Sequence, residues 1–246
     1  MSCTLPPEIL DLIVDHLQDA PTTLRTCCVV SKSWVPRTRK HIFACVELDA
    51  SESHIELWKK SFPDPSNSPA HYTRALSVWG VPITPGTDLG PDKHPGGWIR
   101  TFCNVVHLRL SRLDQASLVP FYGLSPTLKS LHLAQTHPGV FDLICSFPLL
   151  EDLTLVALLP DIDTARWSTP STSPKLTGTL DLSTTRSTRS VVRWLLDLPN
   201  GLHFSGINIG FFHEDAEWVA DLVSRCSETL EWLSILCYPP SAFQQS

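Results

Sequence analysis

Ten histidines and eight cysteines are the side chains here best suited to hold a metal or attack a substrate. Their spacing assembles neither chemistry. Cys103 and His107 stand four apart, and one Cys–His pair without two further ligands in step falls short of a tetrahedral zinc site. No Cys-x-x-Cys occurs, and most cysteines sit among apolar neighbours, as small buried hydrophobes do. Asp161 and Asp163 flank Ile162 in a proline-containing segment, where paired acids are normally just solvated. Gly86 and Gly90 precede Lys93 without the Gly-Lys-Ser/Thr spacing of a phosphate loop. No G-x-S-x-G, H-E-x-x-H or G-x-G-x-x-G is present. The sequence therefore assigns no catalytic, cofactor-binding or metal-ligating residue. An enzyme would have to gather its site from distant positions.

Composition narrows the remaining classes. Formal net charge is −6 over 246 residues, with a pI near 5.9. That balance argues against nucleic acid, which calls for clustered Lys and Arg. The one basic run, Arg37 to His41, reads more simply as the C-terminal end of a helix meeting its dipole. No apolar run approaches the ~18 residues of a membrane span. Without a signal peptide or an Asn-x-Ser/Thr sequon, a reducing cytoplasmic or nuclear compartment is expected.

Two patterns carry the positive information. The first lies within residues 1–45. Pro6 and Pro7 fit a helix start, where the first turn has no use for its N–H groups. Ile9, Ile13 and Leu17, with Leu12 and His16 beside them, form one helical stripe. Asp19-Ala20-Pro21 ends that helix, and Thr22 or Thr23 is a cap for a second. A third is expected from Trp34 to Phe43 with Ser33 as its cap, because Pro36 then falls in the first turn. Three helices this short carry more apolar side chains than they can bury among themselves, so a surplus apolar face is expected to dock elsewhere.

These residues carry a resemblance. Leu5-Pro6-Pro7-Glu8-Ile9, Leu17, Val29-Val30-Ser31-Lys32-Ser33-Trp34 and His41-Ile42-Phe43 together resemble an F-box of the fungal kind. The likeness covers about forty residues and departs at Pro21-Thr22-Thr23, where an acidic residue and Leu are common. It implies a module that binds a Skp-type adaptor, and through it a cullin, so that a protein substrate is presented for ubiquitination. The adaptor-facing residues would be Leu5, Pro6, Pro7, Ile9, Ile13, Leu17, Val29, Val30 and Trp34.

The second pattern occupies residues 46–246. Val46-Glu47-Leu48 and Ala75-Leu76-Ser77-Val78 read as strands, and Ser51 caps a helix between them. Then Val105-x-x-Leu108-x-Leu110 recurs as Leu128-x-x-Leu131-x-Leu133 and Leu150-x-x-Leu153-x-Leu155. Leu180-x-Leu182, Phe204-x-x-Ile207-x-Ile209 and Leu230-x-x-Leu233-x-Ile235 follow. Leu108, Leu131, Leu153, Leu180, Ile207 and Leu233 are separated by 23, 22, 27, 27 and 26 positions, inside the ~20–29 residue period of leucine-rich repeats. Alternation puts each leucine pair on one side of a strand. Helical returns are expected at Leu113–Tyr122, Gly139–Phe147, Ser187–Leu198 and Asp215–Cys226, and a Pro/Gly-rich loop at about 80–98.

This half resembles the leucine-rich-repeat family, without its usual Asn or Cys. Leu113, Thr136, Leu158, Thr185, Phe212 and Tyr238 stand at that position, so irregular turns are expected. The predicted fold is α/β: a three-helix F-box followed by a leucine-rich-repeat-like βα solenoid on a parallel sheet. Polar residues interrupt the leucines where a doubly wound sheet would show continuous apolar runs. Of these His107, Arg109, His132, Asp152, Asp181 and Asn208, with Trp232, are the candidates for gripping a protein substrate, since Arg and aromatic side chains are frequent anchors. Only Tyr238 to Ser246 follow the last strand, so either that strand's edge is exposed or the chain is a fragment of a longer protein. The alternatives are a repeat scaffold with no ligase role and an α/β enzyme.

Overall fold

The computed structural model describes residues 6–80, 99–122, 124, 126–135, 140–157, 173–184 and 188–238. Leu5, Cys3, the Pro/Gly-rich loop from Val81 to Gly97 and the Asp161–Asp163 pair lie outside them.

Proline sets the start of all three N-terminal helices. α1 (Pro7–His16) and α2 (Pro21–Val30) each begin on a proline, and α3 (Val35–Ile42) carries Pro36 in its first turn. No threonine caps α2, whose N-cap is Ala20. The expected cap at Ser33 is displaced as well. Ser31 is extended and its hydroxyl accepts from the Ser33 amide, capping a short 3₁₀ turn (Lys32–Trp34) that leads into α3. The sequence runs on through that turn, so the cap falls two residues earlier than proline placement alone suggests.

Among the described residues eight strands follow: β1 (Cys45–Asp49), β2 (Ala75–Trp79), β3 (His107–Ser111), β4 (Ser130–Ala134), β5 (Asp152–Val156), β6 (Thr179–Leu182), β7 (Gly206–Phe212) and β8 (Trp232–Tyr238). They form one parallel sheet in strict sequence order. The repeat leucines are the register. Val46, Leu76, Leu108, Leu131, Leu153, Leu180, Ile207 and Leu233 lie side by side across all eight strands. The two early strands thus join the same ladder although a long insertion separates β2 from β3.

One face of the sheet is sealed. Leu108, Leu110, Leu131, Leu133, Leu153, Leu155, Leu180, Leu182, Ile207 and Ile209 are buried, as one core with the connecting helices. Those helices are α4 (Glu52–Ser61), α5 (Gln115–Leu118), α6 (Val140–Cys145), α7 (Thr188–Leu196) and α8 (Ala216–Cys226). Phe141 of α6 and Trp194 of α7 meet with ring centroids 4.5 Å apart, so neighbouring helices pack on each other as well as on the sheet. Residues facing the opposite side alternate with the core residues and stay partly or fully exposed from β1 to β6. This is a solenoid-like βα arrangement. A doubly wound sheet would cover both faces and reverse its strand order, and neither occurs among the described residues.

The residues that leave β3, β4 and β5 share one backbone conformation. Arg112, Gln135 and Ala157, at equivalent positions, all adopt positive φ of 55°, 51° and 47°. Gly80 N–H donates to Ser111 O, Arg112 N–H to Ala134 O and Gln135 N–H to Val156 O, at 2.9–3.0 Å. Main-chain bonds continue the sheet at these positions, while Thr136, Leu158 and Thr185, where the Asn is absent, lie outside the described residues.

The helical module meets the sheet through aromatic packing. Phe43 contacts the rings of Trp58 and Phe62 at 6.3 and 5.9 Å, and Trp58 contacts Phe102 at 5.4 Å. Arg74 and Ala75 N–H both donate to Ala44 O, which starts β2 in register.

Candidate interaction surfaces

In the N-terminal module the side chains turned inward are Val14 of α1, Leu24 and Cys27 of α2, and Thr38 of α3. The Thr38 hydroxyl lies 2.7 Å from Trp34 O and 2.9 Å from the Cys28 thiol, tying α2 to α3. Asp15 ties α1 to α3. Arg37 Nε donates to one of its carboxylate oxygens at 2.6 Å, its guanidinium pairs with the other oxygen, and His41 Nε2 lies 2.7 Å away. The Arg37 hydrogen bond, then that of His41, holds the Asp15 carboxyl far below the usual carboxylate range. Arg37 therefore serves a cross-helix ion pair and His41 bonds the same carboxylate, where a helix-dipole role was expected for both. Arg39 and Lys40, in the last turn with His41, fit that expectation.

What this frame leaves outside is apolar. Ile9 and Ile13 are 43% and 41% exposed, and Val29 is 83% exposed. Leu12 and Val30 are exposed as well. Pro6 and Pro7 are exposed, Leu17 and Trp34 are half-buried, and Leu5 lies outside the described residues. The candidates from Pro6 to Trp34 thus belong to one small module, on α1, the end of α2 and the turn that follows. Leu12 was not among them, although its place beside Ile9 and Ile13 on the helix was the available signal. Asp15 was missed because its partners lie 22 and 26 residues downstream.

The second surface is the open face of the sheet. One row across it reads Glu47, Ser77, Arg109, His132, Thr154, Asp181, Asn208 and Ser234, at about 4.8 Å per strand. His107, Asp152 and Trp232 open the same strands, two residues before Arg109, Thr154 and Ser234. All seven candidates thus share one face, and they differ in availability. His107 and Arg109 are exposed. Asp152 is committed: one carboxylate oxygen accepts from the Thr179 amide at 2.7 Å and its hydroxyl at 2.9 Å. Asp181 accepts from the Ser183 amide at 2.9 Å. His132 is half-buried, and its Nε2 has no hydrogen-bond partner among the described residues. Burial, then the Arg109 charge, lowers its pKa, so the ring is neutral at pH 7. Asn208 is half-buried, and Trp232 lies over Gly206, whose missing side chain makes room for the indole.

Beside these surfaces, α4 and β1 frame an open groove of about 310 Å³ lined by Glu47, Asp49, His54, Leu57 and Trp58. His54 Nδ1 sits 3.4 Å from the Asp49 carboxylate. Cys103 and His107 gather no third ligand; among the described residues no group of three or more His, Cys, Asp or Glu could hold a metal. Burial pushes the Cys145 thiol up to about 11, and the Cys226 thiol is also raised by burial, the opposite of an activated nucleophile. No described helix is long and apolar enough to cross a membrane.

No protein-family profile, no curated protein and no solved structure matches this chain.

Proposed function

We propose that the chain is a substrate receptor of an SCF-type cullin–RING ubiquitin ligase, with α1 to α3 as an F-box and the sheet as an irregular leucine-rich-repeat domain. The helices bind a Skp-type adaptor, and through it a cullin, while the open sheet face takes a protein substrate. The observation that carries this reading is the apolar residue the module leaves uncovered. Ile9, Leu12, Ile13, Val29 and Val30 stay exposed, although Asp15, Arg37, His41 and Thr38 hold the three helices to one another. A side chain of that kind gains roughly 1.5–3 kcal/mol when fully covered, so a partner surface would be strongly favoured.

The chain supplies no ubiquitin-transfer chemistry in this scheme. It acts by raising the effective concentration of substrate beside the catalytic subunits. On the sheet, His107 and Arg109 supply the accessible polar grip and Trp232 the aromatic one. Asp152 and Asp181 shape the face through the backbone bonds they accept.

Co-purification with a Skp-type adaptor tests the proposal. The double variant Ile9→Asp/Ile13→Asp should abolish capture while leaving the circular dichroism spectrum unchanged, because two unpartnered carboxylates would be buried on docking. Adaptor binding that survives this change would remove the F-box reading. A folded wild-type chain that never captures an adaptor would instead mark a repeat scaffold without a ligase role.

A further inference from the structure

Arg109 stands exposed on the open face of β3, and no described residue bonds or pairs with its guanidinium. The register gives its surroundings. His107 and Ser111 lie two residues to either side on the same face of β3. Across the ladder stand Ser77 on β2 and His132 on β4. The diagonal positions on those strands are Ala75, Trp79, Ser130 and Ala134. None of these neighbours carries a carboxylate. The acids further along the face are mostly engaged: Asp152 by Thr179, Asp181 by Ser183 and Asp49 by His54. Glu47 is two strands away, about 10 Å at the usual strand spacing.

Two of these neighbours narrow what could meet the arginine. The covered Nε2 of His132 has no partner among the described residues, although buried polar atoms ordinarily have one. The Arg109 charge helps to hold that ring neutral. A negative group set against Arg109 would lift this repulsion and let the imidazole protonate and bond. Trp79 is 45% exposed and lies about 8 Å from Arg109 along the diagonal. In an extended peptide, side chains two residues apart point the same way at a spacing of about 6.6 Å. An acidic residue over Arg109 therefore brings its second neighbour within reach of the indole.

We infer that Arg109 receives a side-chain carboxylate of the protein substrate, from an acidic segment that also rests an apolar residue on Trp79. The inference rests on the reading of the open face as the substrate surface. The patch holds one permanent positive charge, which matches a single carboxylate better than a doubly charged phosphate. A guanidinium can grip both oxygens of that group at once. Ser77 and the two imidazoles stand close enough to bond the lone pairs it leaves over.

Random peptides displayed on phage and selected on the full chain are the probe. Selected sequences should be enriched in Asp or Glu with an aromatic or aliphatic residue two positions away. Against a synthetic copy of the leading peptide, Arg109→Glu should weaken binding about 10- to 100-fold, with an unchanged circular dichroism spectrum. Exchanging the acid of the peptide for lysine should abolish binding to wild type and restore it to the Arg109→Glu chain. If Arg109→Glu fails to fold, Arg109→Gln carries the same test without the rescue. Trp79→Ala should weaken binding while the preference for an acid persists. Selection of no peptide or of peptides without acids overturns the inference, as does an affinity that Arg109→Glu leaves unchanged. Tighter binding of a phosphoserine version than of its acidic parent overturns the match to a single carboxylate. Adaptor capture is read separately. A chain that captures the adaptor but selects no acidic peptide loses this inference alone, and the reverse result removes only the ligase reading.

Discussion

Asp15 organises the N-terminal module from a single side chain, its carboxylate reaching from α1 to Arg37 and His41 on α3. Helical periodicity identifies stripes on a single helix, but it says nothing about a carboxylate that reaches across to Arg37 and His41 on another. The exposed apolar positions were legible, since Ile9 and Ile13 share a stripe that three short helices cannot cover. The residue that would fill the interior, Val14, was not, because neighbouring helical phases compete until the third helix is placed. The Asp15 carboxyl is held below its ordinary range chiefly by Arg37. A depressed folded value means that its stabilisation is fully present above the unfolded value of about 4. It is lost as pH falls through the folded value. Asp15→Asn should therefore lower the thermal midpoint at pH 7, and the gap to wild type should narrow under strong acid. Melts followed by circular dichroism across that range check both signs.

At the scale of elements, strands were the legible part and turns were not. Each Leu-x-Leu marks a strand because alternation turns both leucines inward, and all eight strands fall on one register. The turns hid because Arg112, Gln135 and Ala157 are not residues that advertise positive φ. For a non-glycine residue that conformation costs about 1–2 kcal/mol, offset at Arg112 and Gln135 by the backbone bonds they donate to Ala134 and Val156. Ala157 is the plainest case. Ala157→Gly removes the steric penalty and adds chain entropy to the unfolded state, for a net gain of about 0.5–1 kcal/mol. The expected rise in melting temperature is about 1–4 °C. A fall would mean that the strain is not real. Asp152 is a different kind of surprise, a face residue whose carboxylate takes the place of a ladder partner for Thr179.

For the molecule as a whole, sequential strand order follows from a repeated strand-and-return unit, because each return leads the chain to the adjacent slot. That order also determines how the fold comes apart. Each repeat rests mainly on its immediate neighbours, so stability is a chain of junctions, and the junctions are unequal. β4 and β5 share five rungs, whereas β5 and β6 share only Leu153–Leu180 and Thr154–Asp181. Amide exchange in heavy water, read peptide by peptide, should accordingly resolve two cooperative blocks divided there, one ending with β5 and one beginning with β6. A single uniform exchange rate across both would show that side-chain packing beneath the sheet bridges the gap. A seam of this kind lets one half loosen while the other keeps its shape, which is a mechanical property rather than a chemical one.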